Sequence, residues 1–420
     1  MRKYEQTDVL VVGAGPSGMV AALTLAREGV PVMVVDQEWR RAARSYACAL
    51  HGRTLRLLAE LGLGGELLSA GWRIERQVFY LRHQKVGEVR LDQLGGGYPY
   101  VLVIPQSELE GLLEKALRQM SHVQLLWNHR LASLVPETTE VLSTVEKLAE
   151  SATGYIVPTW DWVVKESFLN HANYVVGADG QHSYVRRAMG IEWQAGAAPE
   201  TYEIFEFILP SEAGHEALVV LEENGLSYYW PLGPDRGRWA FSKNSRAEEE
   251  FQPKLREPVQ VVHRGPQDVL VGQLSERLKQ RAPFFKVEPQ EVVWHGQVRF
   301  ERRVARRFGV DRCWLAGDAA HQTGPAGMQS MNAGLWEAHD LGRRLARVLR
   351  QQGGRELFEE YHQQHQRAWQ ALLGLQGGLQ CGPTAEAWVT QHLPRLQACL
   401  PALGEDLGHL ATQLGLVWHG

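Results

Sequence analysis

A short apolar run, Asp8 to Val12, stops at Gly13-Ala14-Gly15-Pro16-Ser17-Gly18, and no other feature constrains the fold as tightly. The run reads as a strand covered on both faces. Ser17 to Glu28 reads as a helix with Val20, Leu23 and Leu25 among its apolar positions, ended by Gly29. Pro31 to Val35 reads as a second apolar strand, ending at Asp36. Strand, glycine turn, helix and strand in so little chain make a βαβ unit. Gly13 permits the tight turn, Gly15 lets backbone approach a pyrophosphate, and Gly18 lets helix and strand pack closely. The helix starting near Pro16 offers that pyrophosphate its free amides and the positive end of its dipole. Asp36 stands where a carboxylate accepts hydrogen bonds from an adenosine ribose. The motif implies a dinucleotide and does not distinguish FAD from NAD.

With 420 residues, 44% of them hydrophobic and 22% charged, the chain can bury the cores of two packed domains. A formal net charge of -4 excludes a general attraction to nucleic acid or an anionic membrane. The arginines between Arg299 and Arg307 are interrupted by apolar residues and read as the polar side of a surface element. Cys48, Cys313, Cys381 and Cys399 form neither a CxxC pair nor a metal-ligand spacing, so neither a disulfide framework nor a metal site is expected. The first residues lack the apolar core of a secretory leader, and no apolar stretch approaches the ~18 residues of a membrane span. A soluble cytoplasmic chain is the expectation.

Further along, helices are expected over Thr54 to Leu61, Glu108 to Met120 and Met331 to Leu349, each with apolar residues at helical spacing. The stretch from Pro136 to Ala172 has helical features around Glu140 to Ser151 and a Trp160-Asp161-Trp162 knot, which suggests a hairpin or an insertion. From Thr201 to Phe241 the texture changes to strands, which points to an antiparallel sheet, with Trp294 to Phe300 returning to it. The expected fold class is α/β: a Rossmann-like domain, an interleaved antiparallel-sheet substrate domain and a C-terminal helical tail. Residues 1–75, 100–200 and 300–350 are assigned to the first, 76–99 and 201–299 to the second, and 351–420 to the tail.

Two more glycine motifs follow. Residues 174–186 read YVVGADGQHSYVR, and residues 314–332 read WLAGDAAHQTGPAGMQSMN. With the first motif, in this order, they make the chain resemble the single-component FAD-dependent aromatic hydroxylases, the p-hydroxybenzoate hydroxylase-like flavoprotein monooxygenases. The resemblance implies FAD as the cofactor, held by Gly13, Gly15, Ser17, Gly18, Asp36, Arg44, Gln106, Asp179, Gly180, Gly317, Asp318, Pro325, Gly327, Met331 and Asn332. It places Asp318 on the flavin ribityl chain, and the second motif near the pyrophosphate and the nicotinamide donor. Pro325 and Gly327 let backbone pass close to the flavin ring, and amides around Met331 and Asn332 face its N1–C2 carbonyl region. Many members of the family carry glycines where this chain has Met328 and Ser330.

The implied activity is hydroxylation of an aromatic or polyketide-like small molecule with NADPH or NADH and O2, through a C4a-hydroperoxyflavin. Without a second glycine fingerprint, the nicotinamide binds transiently beside the flavin. A phenol reacts best as phenolate, so a base is expected, and His51, Tyr228, Tyr229 and His295 lie on segments expected to line the substrate face. His321 reads as support for its loop. Three alternatives remain: a reductase or dehydrogenase of the same fold, a halogenase, and a flavin-binding partner protein without activity. The halogenase signature runs Trp-x-Trp-x-Ile-Pro, whereas Trp160-Asp161-Trp162 precedes Val163-Val164 here. In the partner reading, apolar residues of 385–416 such as Trp388, Leu396 and Leu403 form an interface; otherwise they cover the chain's own domains. The substrate and the oligomeric state stay open.

Overall fold

The structure, a computed structural model, describes residues 3–39, 49–153, 159–210, 214–223, 225–243, 259–260 and 266–420. Five strands pair in parallel, and the buried apolar runs at residues 9–12 and 32–35 suit a sheet covered on both faces. Their order is Cys313–Leu315, Thr159–Gly177, Lys3–Val12, Val32–Asp36, Val123–Trp127. The helix Pro16–Arg27 covers the sheet, packed between the helices Gln106–Arg118 and Gln329–Leu349. On the helix Glu356–Leu372, Phe358 packs on Tyr174 and Trp314, which covers another part of the sheet.

Register decides what this sheet can do. Val12 lies opposite Gly177, and Gly177 lies opposite Leu315. Three strands therefore end level, and each runs straight into one of the glycine motifs. The carboxyl edge of a parallel sheet, where the chain must turn away, is where such folds bind ligands.

The second sheet is antiparallel over most of its width. Its order is Val259–Gln260, Glu291–Ala305, Trp193–Ile208, Arg236–Ser242, Leu226–Pro231, Glu216–Leu221, Arg76–Leu81, Gln84–Arg90. One pair departs from the expected antiparallel pattern, since Glu216–Leu221 runs parallel to Arg76–Leu81. Alternation divides its aromatic residues between two cores. Tyr202, Tyr228, Trp230 and Val298 face the main core shared with the first sheet. Phe205, Phe207, Tyr229, Trp239 and Phe241 face a smaller core closed by Leu270, Leu274 and Leu278 of the helix Gln267–Arg281.

Two expectations need correction. The residues around Glu140 to Ser151 form no helix: Val141–Thr153 is a strand, paired with Thr159–Gly177 in a long hairpin. Their helix-forming Glu, Lys, Leu and Ala residues are outweighed by two strand partners, one on each side. The tail is also not purely helical, because Gly378–Cys381 and Leu416–His419 form a two-stranded sheet. Trp388, Leu396 and Leu403 are buried in the chain's own core. No helix among the described residues is long and apolar enough to cross a membrane.

Candidate functional site

The three motifs meet closely. Gly13 has φ of 103°, and a Cβ there would lie 2.2 Å from the Ala178 carbonyl oxygen. Gly317 has φ of 67°, and a Cβ there would lie 2.5 Å from Ser17 Oγ. These glycines allow the first motif to touch the second at Ala178 and the third at Ser17. Gly15 differs, since a Cβ on it would meet nothing within 4 Å. It opens onto a cavity of about 410 Å³ that reaches from the start of the helix Pro16–Arg27 to the start of Gln329–Leu349. That volume lies in the usual range for small-molecule sites.

Of the residues expected to hold FAD, Gly15, Ser17, Gln106, Gly180, Asp318, Pro325 and Met331 line this cavity. The carboxylate of Asp318 is crowded by protein yet open to the cavity, and this burial raises its carboxyl above the usual range. Asp36 lies behind the first motif, where its oxygens accept from the amides of Ala14 at 2.6 Å and Glu38 at 2.8 Å. Burial raises this carboxyl, and the two amides work against the rise. Gln106 donates to Glu110 at 2.7 Å along its own helix.

Other expected residues serve the scaffold. Asp179 accepts from the amides of Tyr184 and Val185 at 2.6 and 3.1 Å, which caps the short helix Tyr184–Ala188. The fully buried Asn332 accepts from the His51 amide at 2.8 Å and donates to the carbonyls of Ala49 and Met328. Gly13 and Gly317 form the close turns, Gly18 lies in the helix Pro16–Arg27 where a Cβ would come 1.9 Å from the Gly13 carbonyl oxygen, and Gly327 packs against the backbone of Ala398 to Leu400. Arg44 lies outside the described residues.

None of the three proposed catalytic side chains is among the cavity-lining residues. His51 is buried behind the loop at 325–328, with Nε2 3.0 Å from the Gly327 carbonyl oxygen. A carbonyl only accepts, so Nε2 carries the proton, and burial pushes the imidazole down to about 4. Tyr229 points into the smaller core, where burial raises its phenol well above the ordinary value. His295 stacks on Phe205 and meets Glu203 at 3.2 Å on that same side of the sheet. Tyr228 faces the main core and packs edge-on against Tyr202.

The cavity is also lined by residues outside the expected FAD ligands. Val298 and Phe300 present an apolar wall from the second sheet, while Met328 and Ser330 stand at the start of the long helix. Met328 adopts φ of 52°, a conformation glycine takes without strain. Beside Gly180 and Gln181 is a cationic group. Arg186 and Arg303 sandwich the Trp193 ring, with their guanidinium carbons 4.0 and 4.3 Å from its centre. Burial, and then the Arg303 charge, lower Arg186 to about 10. Burial and the charges of Arg187, Arg303 and Arg186 likewise lower His182. Mutual repulsion of this kind is relieved by an anion.

The donor set suits FAD. It offers a free helix start with open space before it at Gly15 and a carboxylate facing the cavity at Asp318. The family model described as FAD binding domain matches residues 6–374. The 6-methylpretetramide 4-monooxygenase of Streptomyces rimosus is 28% identical over 84% of this chain and 58% of that protein. The uncharacterized aromatic compound monooxygenase YhjG of Bacillus subtilis is 30% identical over 89% of this chain and 67% of its own length. The chain thus spans about three fifths to two thirds of these relatives. The crystal structure of p-nitrophenol 4-monooxygenase PnpA from Pseudomonas putida superposes with a TM-score of 0.72 at 20% identity, covering 87% of this chain and 86% of that one.

Proposed function

The chain belongs to the FAD binding domain family, and from that premise we propose that it is an FAD-dependent monooxygenase. It uses NAD(P)H and O2 to hydroxylate an aromatic or polyketide-like small molecule. The observation that carries the reading is the level ending of three strands, which brings Gly15, Gly180 and Asp318 to one cavity. The names of the relatives, a pretetramide and an aromatic-compound monooxygenase, support the substrate class.

Bound FAD supplies the electron transfer that activates O2 for insertion into an electron-rich ring. The chain's own residues bind, orient and shield. The amides at the start of Pro16–Arg27 take the pyrophosphate, and Asp36 keeps acceptor capacity for the adenosine ribose. Asp318 accepts from the ribityl hydroxyls. Gln106, Pro325 and Met331, which line the cavity, would flank the ring. The cations Arg186 and Arg303 favour the pyrophosphate of the nicotinamide donor beside Gly180. Val298, Phe300 and Met328 keep water from the reacting centre and give an aromatic substrate a wall to lie against. In domain terms, 76–99 and 201–299 hold the substrate, while 1–75, 100–200 and 300–350 hold FAD. The buried free thiols of Cys313 and Cys399 suit the reducing cytoplasm.

A halogenase reading gains nothing from the Trp160-Asp161-Trp162 segment, because Trp162 is 47% exposed and does not line the cavity. The experiment is NAD(P)H oxidation by the purified yellow protein under air, with and without a panel of phenols and aromatic acids. Ligand-stimulated oxidation coupled to an oxygenated product is expected. Product formation that requires chloride or bromide, or turnover that ignores O2, would overturn the monooxygenase reading. Asp318→Ala is expected to lose bound FAD on purification, and an unchanged flavin content would remove Asp318 from the site.

A further inference from the structure

The helix Ala387–Cys399 ends inside the protein, so its last carbonyls need partners there. Each of the last four has one. The Leu396 carbonyl accepts from the Leu400 amide at 3.1 Å, within the tail itself. The other three accept from elsewhere in the chain. Gln397 takes Gln329 Nε2 at 3.0 Å, Ala398 takes the Gly327 amide at 2.9 Å, and Cys399 takes Gln77 Nε2 at 3.1 Å. Gln329 Nε2 also donates to the Leu400 carbonyl at 3.1 Å. Both glutamine side chains are buried. A Cβ on Gly327 would lie 2.8 Å from the Ala398 and Leu400 oxygens, so the loop and the helix end touch directly.

Gln329 and Gly327 belong to the third glycine motif, and Pro325, Met328 and Gln329 line the cavity. The same loop is held from other directions. Trp230 Nε1 donates to the Ala326 carbonyl, His51 Nε2 to the Gly327 carbonyl, and Asn332 Nδ2 to the Met328 carbonyl at 2.7 Å. The helix end is tied down in turn by Gln397. Its Nε2 donates to the Ala371 and Leu372 carbonyls at 2.6 and 2.8 Å, and its Oε1 accepts from the Leu379 amide at 2.8 Å. The helix Glu356–Leu372 and the strand Gly378–Cys381 therefore reach the cavity loop through residues 397–400.

We propose that Gln329 is a positioning residue for the flavin. By capping the end of Ala387–Cys399 it holds the loop from Pro325 to Met328 where the ring needs it, which makes the C-terminal tail part of the cofactor site. The inference rests on the FAD reading above. A loop held by the tail is ordered before FAD arrives, so binding gives up little conformational entropy there. Gln77 supplies the comparison that separates positioning from plain support. It caps the same helix end with the same amide group and is equally buried, but it stands on the strand Arg76–Leu81 and does not line the cavity.

Gln329→Met and Gln77→Met each keep the length of the side chain and remove its donor. Each leaves a helix carbonyl buried without that donor, so the urea midpoints of both apoproteins should fall. FAD binding should part them. Gln329→Met is expected to weaken it about 10-fold or more, as loss of a partner that orients a ligating group does. The visible spectrum of its bound flavin, at saturating FAD, should shift as well. Gln77→Met is expected to keep the wild-type affinity and spectrum. Unchanged affinity and spectrum in Gln329→Met overturn the proposal, and so does an equal loss in Gln77→Met. Should Gln329→Met not fold, hydrogen exchange in the wild type decides. The Gly327 amide, as donor to Ala398, should be protected in the apoprotein; protection that appears only after FAD is added overturns the proposal. Wild-type protein that binds no flavin overturns the FAD reading instead, and leaves the exchange result standing.

Discussion

Gly15→Ala tests whether a ligand, and not the fold, requires the open space before the first helix. The new methyl would meet no atom within 4 Å, and Gly15 has an ordinary φ of -74°. Alanine at a helix N-cap is worse than glycine by roughly 0.5 to 1 kcal/mol. The loss of glycine's freedom in the unfolded chain returns about 0.4 to 1 kcal/mol. The two offset each other, so the apoprotein's stability should stay within about 0.5 kcal/mol of wild type. FAD is another matter, because the methyl stands where pyrophosphate oxygens must reach the helix amides. Losing one charge-assisted hydrogen bond costs about 1.5 to 3 kcal/mol, or about 10- to 100-fold in Kd. Gly13→Ala is the contrast. It combines φ of 103° with a Cβ at 2.2 Å from backbone oxygen, which neither neighbour can relieve by turning a side chain. Left-handed strain and overpacking together cost about 2 to 5 kcal/mol, with or without FAD. Urea denaturation of the apoproteins and titration of FAD fluorescence measure the two effects separately. An unchanged FAD affinity in Gly15→Ala, or a loss of apoprotein stability equal to that of Gly13→Ala, would refute the reasoning.

Two further outcomes follow from the site's electrostatics. Burial takes His51 from 6.5 down to about 4, so the unfolded chain binds its proton first as pH falls. The neutral imidazole's contribution is complete above pH 6.5 and is lost as pH falls through about 4, a change of about 2 to 3 kcal/mol between about pH 7.5 and about pH 4.5. His51→Gln keeps a donor for the Gly327 carbonyl but cannot titrate, so urea midpoints at the two pH values should differ by that much less; an equal pH dependence would discount His51. Arg303→Gln should raise the KM for NAD(P)H about 10-fold or more with kcat little changed, as for lost ground-state binding. An unchanged KM would take the reductant away from the Trp193 sandwich.

The first βαβ unit is legible in the sequence because its signals are local. An apolar run, a glycine cluster and a helix with Pro at its first position need no distant partner to be read. The strand Val141–Thr153 needs one. Its buried positions Val141, Ser143 and Val145 do alternate. Their period-two signal is carried by only two apolar side chains and is masked by the helix formers that follow. Pairing on both edges decides the matter, since Val141 lies between Pro136 on one side and Ala172 on the other.

The placement of the proposed base residues away from the cavity lining was hidden from the sequence for a related reason. Alternation identifies which strand residues share a face, but tells inside from outside only when one face is polar. In Leu226–Pro231 every residue is buried, with Tyr228 and Trp230 toward the main core and Tyr229 toward the smaller one. Adjacent tyrosines with the same composition around them thus give no hint of which faces the main core; Tyr228 does, and neither lines the cavity. Trp230 makes the choice physical, since its Nε1 donates to the Ala326 carbonyl at 3.3 Å, inside the third glycine motif. The His321–Glu337 pair escaped for the opposite reason. His321 reads in the sequence only as support for its loop, and Glu337, two turns into the long helix, carries no signal of its own. Only the return of Glu356–Leu372, which brings Trp369 over both, turns them into a sealed hydrogen-bonded pair beside the cavity. The local turn chemistry of the third motif thus marks where the cavity forms, and the burial of the polar pair behind it comes from the helical tail.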